Sequence, residues 1–303
     1  MSRPAPRSID DYLSALRAAL AGSDPALIQD ALYDAEEYLR AELAANPGVP
    51  EAEVLERLMK TYGSPEEIAA AYRDTEVKVT RALQPPAAKR SASPDPIMQF
   101  LSVYSDPRAY TSLFFMILSL VTGTLYFTIA VTGLSLSLGL AILIIGLPVF
   151  IGFIGIARAI SLGEGRLLEA VSGERMPRRP VHPGSGSLWE RILAMLQDGR
   201  TWTTMAYLVM MLPLGVIYSS VALTGLSVGV AFLLVPLVGI AQRSEWWVSS
   251  NTGPIVFSPW WLDTPMGWVF SAVFGAVVLT SLLHVARIVV RLHARVAKVL
   301  LVT

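Results

Sequence analysis

The chain has 303 residues, of which 53% are hydrophobic and 16% are charged, and its 24 basic side chains balance its 24 acidic ones. Soluble domains average about 25% charged residues. This composition, with a mean hydropathy of +0.52, excludes a disordered chain, a polybasic nucleic-acid binder and an acidic solvating tail. Cysteine is absent, which excludes a disulfide framework, a thiolate metal site and a cysteine nucleophile.

The N-terminal third is acidic and lacks long apolar segments. Residues 1–96 hold 16 acidic and 11 basic side chains, whereas residues 97–303 hold 8 acidic and 13 basic. Apolar residues recur at helical spacing within residues 8–76, which predicts a compact bundle of three or four short helices. Ser64 and Glu67 form the ends of a capping box, in which each side chain accepts a hydrogen bond from the backbone of the other. Because no stretch resembles a signal-peptide core, we expect this part to stay in the cytoplasm.

Three long segments without a charged residue follow a Pro/Ala/Ser linker at residues 81–97, which is semi-rigid and solvated. They contain 49 residues after Arg108, 42 after Arg200 and 23 after Asp263. Because about 20 apolar residues cross the hydrocarbon core, the first segment holds two spans. These are predicted at roughly 109–131 and 136–160, with a tight turn at Thr132-Gly133-Leu134-Ser135. The chain is therefore predicted to be an integral membrane protein.

An internal repeat divides the membrane half of the chain. A shift of 92 residues aligns the sequence around Asp106 with that around Asp198, and Gly123-x-x-Tyr126 with Gly215-x-x-Tyr218. A shift of 129 residues aligns Arg158 with Arg287. The two shifts differ by 37 residues, which places an outward insertion at about 233–266 of the second copy. We therefore predict repeat 1 at 98–180 and repeat 2 at 181–303, each with two spans.

The number of spans follows from the distribution of positive charge. Residues 228–241 are apolar enough to be a fifth span, but five spans would place Arg287, Arg291 and Lys298 outside, against the positive-inside bias. With four spans, residues 228–241 start the approach to the fourth span, re-enter the membrane or lie at its interface.

The predicted fold class is all-α, a small cytoplasmic helical bundle plus a four-helix transmembrane domain with an internal duplication. Five helices remain the alternative. Both termini are predicted to be cytoplasmic.

Three motifs in residues 1–80 resemble a known signalling domain. They are Tyr12-Leu13-x-x-Leu16, Asp34-x-Glu36-Glu37-Tyr38-Leu39 and Tyr62-Gly63-Ser64-Pro65-Glu66-Glu67-Ile68-Ala69. This pattern is similar to the HAAS helical domain, which often occurs beside PadR-type transcriptional regulators. The resemblance implies a signalling role and a cytoplasmic protein partner, either a PadR-like regulator or a kinase.

The membrane half resembles a second family. The motifs are Gly123-x-x-Tyr126, Thr132-Gly133-Leu134-Ser135, Gly146-Leu147-Pro148 and Asp198-x-Arg200-x-Trp202. They are similar to a sensor membrane domain that precedes histidine kinases in many bacteria. The resemblance implies a sensor in the bacterial cytoplasmic (inner) membrane, although this chain carries no kinase region after residue 298.

The strongest polar candidates lie where spans start and end. Two equivalent groups begin the first and third spans, and an arginine ends each second span: Asp106, Arg108, Tyr110, Asp198, Arg200, Trp202, Arg158 and Arg287. As interfacial anchors, each Asp would cap its helix, each Arg would hold a headgroup phosphate, and each aromatic ring would join the interfacial belt. Because the group is duplicated, a second hypothesis is a paired gate that links changes in the lipid to the amphipathic helices.

Tryptophan is concentrated in and beside the insertion. Five of the seven tryptophans are found there: Trp246, Trp247, Trp260, Trp261 and Trp268. Tryptophan at the boundary of water and lipid normally forms an aromatic belt. The alternative is a surface that binds lipid or an apolar ligand, since two Trp-Trp pairs supply rigid aromatic area.

The sequence offers little for catalysis. The histidines His182, His284 and His293 show no metal-ligand spacing with carboxylates, and no phosphate-binding loop or nucleophile elbow is present. We therefore predict no catalytic residue, no metal and no cofactor.

The predicted function is a non-enzymatic membrane sensor that relays an envelope or apolar-ligand signal to a cytoplasmic regulator. Its partners would be membrane lipids and that regulator, without direct nucleic-acid binding, and homo-oligomerisation is left open.

Two other functions remain open at this point. Duplicated halves also build translocation paths, which makes a transporter or a lipid-translocating protein the first alternative. Apart from His284 near an inner end, the predicted spans lack the intramembrane ionisable residues that such proteins usually carry. A membrane scaffold or assembly subunit is the second alternative.

Overall fold

The computed structural model describes residues 6–83, 95–143, 145–177, 179, 193, 196–243, 262 and 264–302. Its α-helices are α1 (Ile9–Ala19), α2 (Pro25–Ala45), α3 (Glu51–Thr61), α4 (Pro65–Leu83), α5 (Pro96–Leu101), α6 (Pro107–Gly139), α7 (Gly146–Ser172), α8 (Gly199–Arg243) and α9 (Pro265–Val302). No strand occurs in these residues. The prediction of an all-α fold with four membrane helices after an N-terminal helical domain is therefore confirmed.

Two compact units divide the chain by its contacts. Unit 1 comprises Met1–Lys89, Ile129–Tyr207 and Ala294–Thr303, and unit 2 comprises Arg90–Thr128 and Leu208–His293. The division cuts across the predicted repeats, because α6, α8 and α9 each contribute residues to both units. The domain boundaries drawn from the sequence stay a prediction.

Helices α1 to α4 form the N-terminal bundle, which we call the head. Its core contains the apolar stripes of all four helices, with Tyr12, Leu16, Leu39 and Leu55 among the buried residues. Tyr12 donates its hydroxyl to the carbonyl of Gly63 at 2.9 Å, and burial raises the pKa of this phenol, which keeps it a donor. The backbone turns at glycines with positive φ after α1 and α3, where other residues would be strained.

The predicted capping box at the start of α4 is present. Glu67 Oε2 accepts the backbone N–H of Ser64 at 2.8 Å, and the Ser64 hydroxyl accepts the N–H of Glu67 at 3.3 Å. The hydrogen bond from the Ser64 backbone, followed by that from its side chain, lowers the pKa of Glu67. A carboxylate at a helix N-terminus also interacts favourably with the helix dipole.

Four described helices are long and apolar enough to cross a membrane by length and composition. They are Pro107–Gly139, Gly146–Ser172, Gly199–Arg243 and Pro265–Leu301. The first, third and fourth begin within two residues of Arg108, Arg200 and Asp263, the charges that precede the three uncharged segments. The prediction of four spans rather than five therefore agrees with the described part of the chain.

The predicted turn at Thr132-Gly133-Leu134-Ser135 is wrong. Helix α6 continues through these residues to Gly139, and α8 continues through the equivalent 224–227. An opened backbone would lack hydrogen-bond partners in hydrocarbon, which favours continued helix. The glycines serve packing instead, since a side chain on Gly133 would collide with the ring of Phe153 and one on Gly225 would press on Leu282.

Residues 228–241 continue the third membrane helix. Helix α8 has 45 residues, which is about 67 Å at 1.5 Å per residue and far exceeds the thickness of a bilayer core of about 30 Å. Its last part packs on the first part of α9, where Gly275 approaches the backbone of Gly229 and the rings of Phe232 and Phe274 meet edge to face at 4.8 Å. Helices α8 and α9 thus include residues 233–243 and 265–266 of the predicted insertion.

The duplication is visible in one close helix crossing of unit 2. A Cβ on Gly123 of α6 would collide with the carbonyl of Met211 in α8, and a Cβ on Gly215 of α8 would collide with the carbonyl of Ser119 in α6. A shift of 92 residues exchanges the members of these two contacts. The crossing is therefore reciprocal, and small residues permit its short helix separation.

Candidate functional site

The first span starts at a capped and anchored helix terminus in unit 2. Asp106 Oδ1 accepts the N–H of Arg108 at 3.0 Å, and the Tyr110 hydroxyl donates to the carbonyl of Tyr104 at 3.1 Å. The other carboxylate oxygen of Asp106 lies 3.3 Å from Nη1 of Arg287. Asp106 therefore caps α6, as predicted, and also forms an ion pair with α9.

The third span starts with the same contacts in unit 1. Asp198 Oδ1 accepts the N–H of Arg200 at 3.1 Å, and Trp202 Nε1 donates to the carbonyl of Leu196 at 2.8 Å. Asp198 Oδ2 lies 3.6 Å from Nη2 of Arg158 in α7. Each Asp thus pairs with the arginine that ends the second span of the other predicted repeat. The sequence indicated all four residues but not this exchange of partners.

Arg200 contacts the head as well as its own span start. Its Nε donates to the carbonyl of Leu301 at 2.9 Å, and its Nη2 donates to Oε1 of Gln29 at 2.6 Å. Gln29 in turn donates to the carbonyl of Arg179 at 2.6 Å. Two nitrogens of the Arg200 guanidinium therefore donate to protein acceptors. Binding of Arg200 to a lipid headgroup stays a prediction.

A buried carboxylate on α2 is the centre of a larger contact that the sequence analysis missed. Asp30 is 5% exposed, its Oδ1 accepts the N–H of Arg179 at 2.9 Å, and its Oδ2 lies 3.4 Å from Nη2 of Arg175. Arg175 also forms an ion pair with Glu76 of α4. The segment after α7 is therefore held between two helices of the head.

Further ion pairs extend this contact on the same face of the head. Asp34 Oδ1 lies 2.9 Å from Nε of Arg179, and Asp34 Oδ2 accepts the hydroxyl of Tyr72 at 2.9 Å. Burial, followed by the hydrogen bond to Asp34, raises the pKa of Tyr72, so the phenol remains protonated. Lys298 of α9 reaches Asp24 at 2.6 Å. We call the surface of the head formed by Asp24, Asp30, Asp34 and Glu76 the docking face.

A sequence signal for the docking face exists in hindsight. Asp30 and Asp34 are four residues apart on α2 and therefore share one side of the helix, while Arg175 and Arg179 have the same spacing after α7. Two acidic and two basic residues with the same spacing are compatible with a contact. The spacing alone does not show which basic segment the acidic pair contacts.

Unit 1 contains a cleft beside the third span start. We call it the Arg158–Arg200 cleft. Its lining comprises Gln29 of the head, residues of α7 and the start of α8, and the polar side chains among them are Arg158, Ser161, Asp198, Arg200, Thr201 and Thr204. Apolar side chains of Ile154, Ala157, Leu162 and Met205 complete the lining, and the cavity volume is about 30 Å³. Charged and hydroxyl side chains beside apolar walls can hold the polar part of a ligand.

The predicted tryptophan surface falls largely outside the described residues. Trp246, Trp247, Trp260 and Trp261 lie there, and only Trp268 is described. Its ring lies against Gly239 of α8 and beneath the guanidinium of Arg243, 4.5 Å from the ring centre. Trp268 thus packs α8 and α9 together, and the hypothesis of ligand binding stays a prediction.

Two histidines make structural contacts in unit 2. His284 Nε2 lies 3.0 Å from the carbonyl of Phe100, and the two rings stack with centres 5.3 Å apart. His293 is buried against Phe115 and Tyr218. Among the residues that the structure describes, no group of three or more metal-ligating side chains is found.

Helix α7 carries a buried carboxylate that the predicted span excluded. The span was predicted to end at residue 160, but α7 continues to Ser172 and includes Glu164, which is 1% exposed. The hydroxyl of Tyr207 donates to Glu164 Oε1 at 3.1 Å. The prediction that His284 is the only ionisable side chain within the spans therefore does not hold for α7, which is longer than the predicted span.

Two sequence families match the chain. The family described as "Putative sensor" matches residues 115–301, more than half of the chain, and the family described as HAAS matches residues 11–71. No curated protein and no solved structure matches it significantly. Both resemblances seen in the motifs are confirmed.

Proposed function

The chain belongs to the "Putative sensor" family, and from that premise we propose that it is a non-enzymatic membrane sensor whose head relays the state of the membrane helices to a cytoplasmic regulator. Four apolar helices and a sensor match support a membrane sensor in general terms. The HAAS match supports a signalling role for the head. The relay, its direction and its partner are the proposal.

The docking face is the observation that carries the relay. Asp30, Asp34 and Glu76 hold the segment after α7, Asp24 holds α9, and Gln29 holds the start of α8. Breaking a buried ion pair by removing one partner typically costs about 3–5 kcal/mol, because the other charge is left without compensation. A movement of these helix ends therefore requires the head to follow or to detach.

Such a relay needs two arrangements of the membrane helices. A ligand that binds one arrangement more tightly shifts the population toward it. In one arrangement the head is docked, and in the other its acidic face is released. The released face would bind a cytoplasmic protein, for which a PadR-like regulator or a kinase fits the family context.

The orientation follows from the charges on the docking side. Arg175, Arg179, Arg200 and Lys298 all contact the head, and basic residues at span ends favour the cytoplasmic side. Both termini are therefore proposed to be cytoplasmic, in the inner membrane of a bacterium.

Hydrogen exchange of the full chain in nanodiscs tests the relay contact. Arg175→Ala removes the shared partner of Asp30 and Glu76, and we expect faster exchange in α2 and α4 on the docking face. Arg57→Ala is the matched control, since its pair with Glu53 is exposed and such pairs contribute about 0–1 kcal/mol. Equal exchange in the two variants would contradict docking.

Partner binding is measured separately. The PadR-like regulator or kinase encoded nearest to the gene is titrated against the wild type and Arg175→Ala. Tighter binding by Arg175→Ala supports release of the acidic face. Absence of binding to both, with normal docking, would reject the proposed partner but leave the membrane contact intact.

One observation favours transport as a second candidate. Glu164 and Tyr207 place a buried ionisable pair within membrane helices, a feature of translocation paths. Glu164 lies about 27 Å along α7 from Gly146, near the limit of a hydrocarbon core of about 30 Å, which fits an interfacial position better than a path. Flux in proteoliposomes that Glu164→Gln abolishes would support transport over sensing.

A further inference from the structure

We propose that the Arg158–Arg200 cleft binds an anionic phosphate ester and that its occupancy acts on the head through Gln29. The proposal rests on the function proposed above, because it names the ligand class of the same relay. The cleft lies at the cytoplasmic end of α7 and the start of α8 in that orientation, which is the depth of lipid headgroups. A headgroup phosphate and a water-soluble phosphate ester share the required chemistry.

The charge of the cleft favours an anion. Arg158 and Arg200 contribute two positive charges against the single negative charge of Asp198. Both oxygens of Asp198 are already engaged, Oδ1 by the N–H of Arg200 and Oδ2 by Arg158. One positive charge therefore remains without compensation in the cleft lining, and the planar guanidinium suits a phosphate.

A buried hydroxyl provides an independent observation. Thr201 lines the cleft and is 6% exposed, and its Oγ1 has no hydrogen-bond partner within the described part of the chain. A threonine hydroxyl in a helix can donate to a backbone carbonyl of the preceding turn. The nearby Thr203 does so, since its hydroxyl donates to the carbonyl of Arg200 at 3.1 Å. A buried polar group without a partner is costly. A phosphate oxygen in the cleft would accept this hydroxyl.

The equivalent corner of unit 2 has the same contacts of its Asp, but apolar residues replace some of the polar side chains. The repeat shifts place Ala109 at the position of Thr201, Val290 at that of Ser161 and Leu283 at that of Ile154. Val103, Ala109 and Leu283 form a buried apolar cluster there. Both corners keep the Asp–Arg pair, and Ser112 stands at the position of Thr204, but Ala109 and Val290 replace the hydroxyls of Thr201 and Ser161 in the unit 2 corner.

Occupancy of the cleft would reach the head through one side chain. Arg200 Nη2 donates to Gln29 Oε1, and Gln29 Nε2 donates to the carbonyl of Arg179. A phosphate that recruits Arg200 competes with Gln29 for its donors. The ligand therefore changes the contact between α2 and the segment after α7, which is part of the docking face.

The test uses the full chain purified in a neutral detergent. Dioleoylphosphatidylglycerol, dioleoylphosphatidylcholine and glycerol 3-phosphate are titrated separately, and the gain in thermal stability gives a half-saturation concentration for each. We expect saturable binding of phosphatidylglycerol or of glycerol 3-phosphate, with phosphatidylcholine at least about tenfold weaker because it carries no net charge. Phosphatidylglycerol alone identifies a lipid headgroup, and glycerol 3-phosphate alone identifies a soluble ester.

Three variants locate the binding. Arg158→Gln and Thr201→Val are each expected to weaken it about tenfold or more, the lower end of the range for hydrogen bonds to a charged group. Arg287→Gln, the equivalent in unit 2, is expected to leave it unchanged. Thr201→Val keeps the shape of the side chain, so a loss of binding in a folded variant is specific.

Two outcomes would overturn the cleft proposal. One is equal binding by the wild type, Arg158→Gln and Thr201→Val, and the other is no preference for either anionic probe. Because no regulator is present in this assay, a failed relay does not alter the result. Conversely, normal binding without a change in hydrogen exchange of α2 would keep the site and reject its action on the head.

Discussion

The two span starts share a sequence motif and a set of hydrogen bonds, yet they lie in different surroundings. At Asp106, apolar side chains fill the corner around Ala109. At Asp198, the corner is a cleft, and Arg200 contacts Gln29 of the head. Because the backbone contacts are the same, the difference arises from a few side chains. The two copies share a framework of backbone contacts, and polar side chains line it in the second copy.

The largest losses of folding stability are expected at the crossing of α6 and α8, to which both repeats contribute a glycine. Gly123→Ala and Gly215→Ala each place a methyl group against a backbone carbonyl that cannot move aside. Each substitution should destabilise by about 3 kcal/mol or more, at or above the usual cost of overpacking. Thermal unfolding in detergent measures this. Gly152→Ala in α7 faces open space and is the control, and equal midpoints for all three variants would contradict the reciprocal crossing.

A smaller effect should distinguish the two Thr-Gly-Leu-Ser segments. Gly133→Ala meets the rigid ring of Phe153 and is expected to cost about 1–3 kcal/mol, whereas Gly225→Ala meets the flexible Leu282 and should cost about 1 kcal/mol or less. The same unfolding assay compares them. Phe153→Ala combined with Gly133→Ala should recover part of the loss beyond additivity. Strict additivity would argue against the packing contact and for the turn.

The two Asp–Arg pairs should be equal in stability but unequal in function. Asp106→Asn and Asp198→Asn keep a good helix cap and remove the charge, at about 0.5–1 kcal/mol each for partly exposed pairs. The alanine variants should lose about 1 kcal/mol more, because the cap is lost as well. Only the Asp198 variants should alter binding of the phosphate probes. A matching change in the Asp106 variants would show that the corners are equivalent.

The smallest effect is expected at the capping box, a helix start remote from both corners. Since hydrogen bonds from Ser64 lower the pKa of Glu67 in the folded state, the stabilisation is present above the unfolded pKa. It is lost as the pH falls through the lower folded value. Hydrogen exchange in the first turn of α4 should therefore rise on acidification below about pH 4.5, relative to the intrinsic rate. Glu67→Gln should flatten this dependence, and an unchanged profile would contradict it.

Local signals explain why part of this molecule was predictable. The capping box uses groups three residues apart, and the charge gaps report the cost of placing Arg or Asp in hydrocarbon, whatever the neighbouring helix. The motif around Asp106 and Asp198 was likewise visible as a repeat. The turn at 132–135 was predicted wrongly because Gly and Ser favour turns in water, whereas α6 places Gly133 against Phe153.

The sequence by itself determined the four apolar helices, the helical head and its cap, since these depend on nearby residues and on solvent. Tertiary structure alone decided that Asp106 pairs with Arg287, that Asp198 pairs with Arg158, and that Asp30 receives the segment after α7. An ionisable side chain near the membrane needs some opposite charge, and many candidates satisfy that need. Which one it meets depends on the helices that pack beside it, and that choice is made by the whole arrangement of spans.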